Sequence, residues 1–320
     1  MGTEYQIEPF TNKYIESAAN IFLSNYKHEQ AANSLLPTHI FNDPDCIKSA
    51  LDEFAANPGV AIFSNGEMVA FMVTGHTFSF KGQKTAMVPE YCHGAIKKDA
   101  RKLYQLAYMV LSSNWIKDNI NLHLIGHFAN DCRLKETLFQ MGFGAIISER
   151  LRDIIPIETN CDFEIRQEND ISKLLDIELE HRKYYQAAPI FVTKDTRLDS
   201  IIASFEESKS DGDVFFVYYE NNQLAGYFTV GNSAKDGEGF LLRNTNTAQI
   251  KNAFVRPSLR NRGLGRCILN RSILWARENG FKRLFVEHET ANFYGGNFWE
   301  KHFNPYLYFS MRYIDNSIGK

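Results

Sequence analysis

The sequence lacks the features that would place it in a membrane, on a nucleic acid or outside the cell. No apolar run reaches the roughly 20 residues that a membrane-spanning helix needs. The residues after Met1 do not combine a basic start with an apolar stretch, as a signal peptide does. The formal net charge is only −3, whereas a general nucleic-acid binder needs a strong basic excess to contact phosphates. We therefore expect a cytoplasmic protein with neither a membrane nor a nucleic acid as partner.

Cysteine is scarce, and its spacing argues against the common cysteine-rich sites. No C-x-x-C pair occurs among the five cysteines, which are Cys46, Cys92, Cys132, Cys161 and Cys267. A zinc ribbon or a redox-active pair is therefore not expected. His93, His123 and His127 do not suggest a metal either, because the last two stand four apart in an apparent strand, where that spacing does not gather ligands. We expect reduced thiols and no metal site.

The length of 320 residues, with 44% hydrophobic and 23% charged residues, favours two globular domains. The same order of elements is predicted in both halves: a short strand, a helix, a hairpin and a later helix. Asparagine-containing turns at 64–67 and 220–223 lie between apolar runs and mark the two hairpins. A repeat of this length indicates a duplicated domain rather than a solenoid.

The predicted elements can be placed along the chain from their hydrophobic periodicity. In the first half they are a strand at 5–9, a helix at 12–24, a hairpin at 60–73 and a helix at 98–115. In the second half they are a strand at 163–166, a helix at 170–184, a hairpin at 214–230, a strand at 249–255, a helix from 263, a strand at 283–289, a short helix near 297 and a strand at 306–313. This mixture indicates an α+β fold. The polar stretch 156–162 opens with proline, so the predicted domains are 1–157 and 158–320.

The most informative segment, residues 254–266, reads FVRPSLRNRGLGR. A strand ends before Pro257, an arginine-rich loop follows, and a helix begins at Gly263 and Gly265. Glycines let the backbone approach a ligand closely. The first N–H groups of a helix have no partner within it, and together with the helix dipole they favour an anion. The segment therefore predicts a pyrophosphate site.

Two common phosphate-binding motifs do not fit this segment. A P-loop requires Lys and then Ser or Thr after its second glycine, where Arg266 stands, and a dinucleotide fingerprint requires a small residue where Ile268 stands. The segment instead resembles the cofactor loop of the GNAT superfamily of acyl-CoA-dependent N-acyltransferases. The signature of that loop is [RQ]-x-x-G-x-[GA], which Arg260, Gly263 and Gly265 match.

The resemblance implies a fold and a co-substrate. It implies two tandem GNAT-like domains, each a mixed, mostly antiparallel sheet flanked by helices, and residues 298–305 look like those of bacterial tandem-GNAT proteins. In the family the strand before the loop and the strand after the following helix splay apart, and the pantetheine arm lies between them. The residues implied in binding acetyl-CoA are Phe254, Val255, Arg260, Asn261, Arg262, Gly263, Leu264, Gly265, Arg266 and Asn292.

The family often continues with N-x-x-A-x-x-x-Y, in which the Tyr protonates the leaving thiolate. Asn292 fits this pattern, with Gly295 for the Ala, but Trp299 replaces the Tyr. The strand at 249–255 carries no carboxylate, although many relatives keep their base there. We therefore expect Glu289 to act as the general base and Tyr294 as a substitute acid.

The first half lacks the cofactor loop, because residues 88–97 contain one glycine and no arginine. The resemblance thus implies a degenerate first domain and one acyl-CoA site per chain. The leading hypothesis is transfer of an acetyl group to an amine of a small molecule or peptide, bound by the loops 184–193 and 231–246. The alternative is a non-catalytic acyl-CoA-binding or sensing protein.

Overall fold

The structure, a computed structural model, describes residues 5–158, 161–233, 240–242 and 245–318. The first half contains the strands β1 (Gln6–Pro9), β2 (Gly59–Ser64), β3 (Glu67–Val73), β4 (His76–Phe80), β5 (Gln83–Val88), β6 (His93–Ala95), β7 (Leu122–Phe128) and β8 (Gly144–Asp153). Its helices are α1 (Ile15–Ala32), α2 (His39–Asn42), α3 (Asp45–Asp52), α4 (Ala100–Lys117) and α5 (Cys132–Gln140).

The second half contains the strands β9 (Arg166–Glu168), β10 (Val214–Glu220), β11 (Gln223–Asn232), β12 (Thr247–Val255), β13 (Arg283–Glu289) and β14 (Asn304–Tyr313). Its helices are α6 (Leu175–Gln186), α7 (Leu198–Ser210), α8 (Leu264–Glu278) and α9 (Phe293–His302). Within the described ranges, no helix combines the length and the apolar character that crossing a membrane requires.

The chain forms two compact units, Met1–Ser148 with Pro305–Lys320, and Glu149–Asn304. These bounds differ from the predicted limits of 1–157 and 158–320, because β14 lies in unit 1, where it pairs antiparallel with β7. Periodicity identifies a strand but not the sheet that the strand joins. The predicted limits of the two repeats stay a prediction.

Unit 1 contains two sets of paired strands. One has the order β1-β2-β3-β6, and in the other β4, β5, β7 and β14 follow one another. The β2–β3 hairpin is confirmed. Its turn places Asn65 and Gly66 at φ values of 52° and 84°, the positive values that this turn requires and that these residues tolerate.

Unit 2 is built on a sheet in which β13, β12, β11, β10 and β9 follow one another. All of these pairings are antiparallel except β12 with β13. Both faces are covered, since successive strand residues enter different cores: Phe215 packs near Ile177 of α6, and Phe216 packs near Ile268 of α8. This burial on both faces explains the uninterrupted apolar runs of β10 and β11. The α+β class predicted from the sequence is confirmed.

A disulfide joins Cys161 to Cys267 in unit 2, with 5.7 Å between the Cα atoms. The prediction of reduced thiols is therefore wrong for these two residues. The segment after β8 packs along α8, where the N–H of Ile157 donates to Asn270 Oδ1 at 2.8 Å, so residues remote in sequence meet. Cys46, Cys92 and Cys132 carry free thiols.

The three histidines considered as metal ligands lie buried in unit 1. His123 Nδ1 bonds the Tyr108 hydroxyl at 2.8 Å, and His127 Nε2 bonds Ser310 Oγ at 3.0 Å. His93 Nε2 bonds the carbonyl of Gly126 at 2.8 Å. The described residues contain no group of three ligands placed to hold a metal ion.

Unit 1 also buries a carboxyl group, that of Glu29 on α1. Burial, reinforced by the carboxylate of Asp131, raises the pKa of Glu29 from 4.5 to about 7. The folded state thus binds a proton at Glu29 more tightly than the unfolded chain does. The contribution of this bound proton to the stability of unit 1 is therefore complete below pH 4.5 and disappears as the pH rises through 7.

We expect Glu29→Gln to stabilise unit 1 at pH 8 relative to the natural chain, by about 1–2 kcal/mol. At pH 4.5 the advantage should vanish, since the natural carboxyl is then protonated. Urea unfolding of both chains at the two pH values measures the difference. Glu16→Gln, an exposed position on the same helix, serves as control. An equal effect of Glu29→Gln at both pH values would contradict the account.

Candidate functional site

A cleft opens where β12 and β13 separate. The two strands pair in parallel from Thr247 with Arg283 to Ile250 with Val286. β12 continues to Val255, still paired on its other side with β11, and β13 continues to Glu289. Beyond Ile250 the two strands no longer pair, so the β12 edge that faces β13 borders the cleft. Such an edge can accept an extended ligand as an added strand.

A cavity of about 490 Å³ occupies this cleft and continues to the arginine-rich loop. Most of the residues predicted to contact the cofactor line it: Phe254, Val255, Arg260, Asn261, Gly263, Gly265, Arg266 and Asn292. Leu264 does not, because it is fully buried in the core between α8 and the sheet. Arg262 does not line the cavity either, so eight of the ten predicted cofactor residues come together around it.

The loop before α8 has the conformation that an anion site needs. Asn261 and Gly263 have positive φ values of 62° and 90°, and α8 begins directly after Gly263. The first hydrogen bond of the helix runs from the Cys267 N–H to the Gly263 carbonyl at 3.1 Å. The N–H groups of Leu264 and Gly265 precede that bond and lack an acceptor within the helix. They converge at the positive end of the helix dipole.

The four arginines around this loop have different roles. Arg256 forms two hydrogen bonds to Glu180, and Arg266 donates to the carbonyl of Glu158. Arg262 is more than half exposed and lies 3.7 Å from a carboxylate oxygen of Glu220. A long exposed guanidinium of this kind can turn towards an anionic ligand at little cost.

Arg260 is held at the end of β12. Its Nε donates to the Val255 carbonyl at 3.0 Å. Its guanidinium lies 4.8 Å from the ring centroid of Tyr184 and 4.7 Å from that of Tyr294, so two aromatic rings contact one cation. Arg260 thus orders the aromatic wall of the cleft, a role that the sequence pattern did not predict.

Asn292 caps the N-terminus of α9 at the side of the cavity. Its Oδ1 accepts from the Gly295 N–H at 3.0 Å and from the Tyr184 hydroxyl at 2.8 Å. A Cβ atom at Gly295 would lie 2.6 Å from Asn292 Nδ2. Glycine in place of the alanine of the family pattern therefore lets the asparagine amide lie over the first turn of the helix.

Residues 176–304 match the Acetyltransferase (GNAT) family. This part of unit 2 is a GNAT-family domain. The match covers α6 to α9 and ends at the last residue of the unit, so it includes both the cleft and the loop. No curated protein matches the sequence.

Solved structures extend the likeness beyond this GNAT domain. A GCN5-related N-acetyltransferase from Sphaerobacter thermophilus superposes with a TM-score of 0.59 at 11% identity, over 97% of this chain and 95% of that one. A GCN5-related glucosamine N-acetyltransferase region in a fungal multi-domain GH3 β-N-acetylglucosaminidase gives a TM-score of 0.55 at 9% identity, over 97% of this chain and 38% of that one. At these identities the likeness establishes the fold, and the chain carries two GNAT-like domains in tandem.

In the GNAT domain, the position of the usual tyrosine is occupied by a core residue that also borders the first cavity. Trp299 is only 5% exposed and packs against Phe228, Phe298 and Phe303, with ring centroids 5.8, 4.8 and 5.4 Å away. Tyr294, the predicted substitute acid, lines the cavity five residues earlier on α9 and is 51% exposed. A hydroxyl group is therefore present at the cleft, although not at the usual position.

A second cavity, of about 460 Å³, lies beside the first and contains the predicted base. Glu287 and Glu289 both line it. Burial raises the pKa of Tyr185, and the charges of these two carboxylates raise it further. His288 lines both cavities, but Arg150 Nε donates to its Nε2 at 3.2 Å, and its Nδ1 bonds the Glu289 carbonyl at 3.0 Å. Both nitrogens of that ring are thus engaged.

The predicted acceptor loops account for only some of the residues that line these cavities. Tyr184 and Tyr185 fall within the predicted loop 184–193, but both lie on α6 rather than in a loop. Of the other predicted loop, 231–246, the stretches 234–239 and 243–244 lie outside the described residues. The sequence motifs do not point to His181, whose one signal is its spacing of three residues from Glu178 on a helix.

The long helix of unit 1 also begins after a positive φ, of 59° at Asp99, but residues 95–99 contain neither glycine nor arginine. Asp99 immediately precedes α4, and its carboxylate accepts from the Tyr5 hydroxyl at 3.1 Å. A negative charge at this end of a helix is stabilised by the helix dipole, but it repels an anionic ligand.

Proposed function

We propose that the protein is an acyl-CoA-dependent N-acyltransferase that transfers an acetyl group from acetyl-CoA to an amine of a small molecule or peptide. The observation that carries this proposal is the continuity of three features in one cavity: the part of β12 beyond its pairing with β13, the positive-φ loop and the N-terminus of α8. An extended arm with a pyrophosphate at its end fits this combination better than a compact anion does.

The pyrophosphate would lie against the N–H groups of Leu264 and Gly265, with Arg262 turned towards it. Charge-assisted bonds of this kind contribute about 1.5–3 kcal/mol each. The pantetheine arm would follow the edge of β12 near Val255, beside Asn292. In this arrangement Arg260 shapes the wall of the cleft rather than gripping phosphate, because its guanidinium is already held between Tyr184 and Tyr294.

The acceptor amine would enter through the second cavity. This cavity shares seven lining residues with the first: His181, Tyr185, Ile250, Lys251, Asn252, Glu287 and His288. Two reactants held in adjoining cavities meet without the entropy loss of a bimolecular encounter, which is a major part of the catalysis available here. Glu287 and Glu289 give their part of the wall a negative charge that attracts an ammonium group. Tyr294 stays the predicted acid for the departing thiolate.

Thiol release from acetyl-CoA across a broad amine panel tests the proposal. We expect at least one amine to give turnover that saturates with both substrates. The alternative, a non-catalytic acyl-CoA-binding or sensing protein, is favoured by the burial of Trp299 and by the absence of a carboxylate on residues 249–255. It predicts saturable acetyl-CoA binding without turnover of any amine, and that outcome would reject the enzyme.

A further inference from the structure

A buried histidine and a buried glutamate stand together on α6 at the junction of the two cavities. His181 and Glu178 are three residues apart, which places them on one side of the helix. His181 lines both cavities, and Glu178 lines the second. The ring of His181 lies 5.2 Å from that of Phe254, which belongs to the part of β12 beyond its pairing with β13. The histidine thus faces the place where the two reactants would meet.

The hydrogen bonds around Glu178 fix the proton on the histidine ring. Glu178 accepts from Arg182 Nε at 2.8 Å and from the Tyr227 hydroxyl, and its Oε2 lies 3.1 Å from His181 Nδ1. Burial works to raise the pKa of Glu178, but the bonds from His181, Arg182 and Tyr227 hold it below its ordinary value. An ionised carboxylate only accepts, so His181 Nδ1 must donate to it.

In a neutral ring, this arrangement leaves the lone pair on Nε2 of His181. No hydrogen bond engages that nitrogen in the described part of the chain, whereas His288, which also lines both cavities, uses both of its ring nitrogens. A carboxylate that holds Nδ1–H and orients the ring is the same arrangement by which other enzymes prepare a histidine as a base.

We propose that His181 Nε2 is the proton acceptor for the amine, in place of Glu289, and that Glu178 and Tyr227 position its ring. The inference rests on the proposed N-acyltransferase activity. An amine that enters as ammonium gives one proton to Nε2, which releases it to solvent. The neutral nitrogen then forms the C–N bond with the acyl carbon, and the C–S bond breaks with its electron pair on sulfur. The second nitrogen proton ends on that sulfur, so the products are the amide and the free thiol.

The tautomer can be measured without any turnover. In ¹⁵N-edited NMR spectra of the full chain at pH 8, we expect His181 as the Nδ1–H form, opposite to the form usual for a free imidazole. Glu178→Gln should move the ring population towards the Nε2–H form, because a neutral amide no longer requires a donor. An Nε2–H ring in the natural chain would overturn the inference.

The kinetic consequence is measured with acetyl-CoA and the best alkylamine of the panel. We expect His181→Gln to lower kcat about 100-fold or more while the KM for acetyl-CoA stays within about threefold. A fluorinated analogue of the same amine is less basic and needs less help from a base. The loss of kcat in His181→Gln should therefore be smaller with this analogue, whereas a folding defect would lower kcat equally for both amines. Glu289→Gln should instead raise the KM of the amine. Lys183→Gln, an exposed position on α6, is the control.

The outcomes separate the two proposals. If the natural chain turns over an amine and His181→Gln keeps its rate, the histidine is not the base and the N-acyltransferase stands. An equal deficit for both amines would also overturn the role of His181. If acetyl-CoA binds but no amine is turned over, the proposed function fails and the inference fails with it.

Discussion

Replacement of Gly263 by valine is expected to weaken acetyl-CoA binding by at least tenfold. Gly263 has φ of 90°, and a Cβ atom there would meet nothing within 4 Å, so the effect would come from the backbone and not from a steric clash. A β-branched residue at such an angle costs on the order of 1–3 kcal/mol. The chain would relieve this strain by turning the peptide, which misaligns the N–H groups of Leu264 and Gly265. Loss of one such bond to a phosphate accounts for about tenfold in affinity.

Gly280 provides a matched control for this experiment. It follows the other end of α8, has φ of 77°, and also has nothing within 4 Å of its Cβ position. Gly280→Val should therefore lower the unfolding temperature to a similar extent and leave the affinity unchanged. Isothermal titration calorimetry with acetyl-CoA, paired with thermal unfolding, gives both quantities. Equal affinities for the two variants would show that the loop does not bind the anion.

Replacement of Trp299 by alanine is expected to destabilise unit 2 by about 3–5 kcal/mol. The indole is buried against three phenylalanine rings and belongs to the core between α8, α9 and the sheet. Its removal loses the transfer free energy of a large side chain and leaves a cavity. Trp299→Phe keeps most of the packing and should cost less than half as much.

The same pair of variants tests whether position 299 takes part in the chemistry. Because Trp299 belongs to the core, Trp299→Phe should keep turnover within a few-fold once the folded fraction is accounted for. Denaturant unfolding and the thiol-release assay together measure the two effects. An unfolding free energy that stays unchanged in Trp299→Ala, or a complete loss of turnover in a well-folded Trp299→Phe, would contradict this assignment.

The features of the site that depend on residues adjacent in the sequence could be predicted from the sequence. The loop at Gly263 combines a strand end, positive-φ positions and a helix start within a few residues, so its conformation follows from local rules. The hairpin turn at Asn221 and Asn222 is equally local, and both residues have positive φ values as the turn requires. Strand β13 begins and ends where its apolar pattern predicted.

The remaining features depend on contacts that a sequence pattern does not encode. The sequence marks β14 as a strand, but its partner β7 is set by tertiary packing. Helix α7 went unpredicted in a stretch where only Ile201 and Phe205 are buried. The disulfide joins cysteines 106 residues apart, and Arg260 turns to aromatic rings from three separate segments. His181 became a candidate only once Glu178, Tyr227 and both cavities surrounded it.

We propose that one acyl-CoA molecule binds per chain, in the cleft of unit 2. Calorimetric titration of the full chain with acetyl-CoA tests it most directly. The loop is present before α8, whereas Asp99 places a carboxylate before α4, so we predict a stoichiometry of one that Gly263→Val weakens strongly. The absence of binding, or two sites of similar affinity that persist in Gly263→Val, would contradict the account.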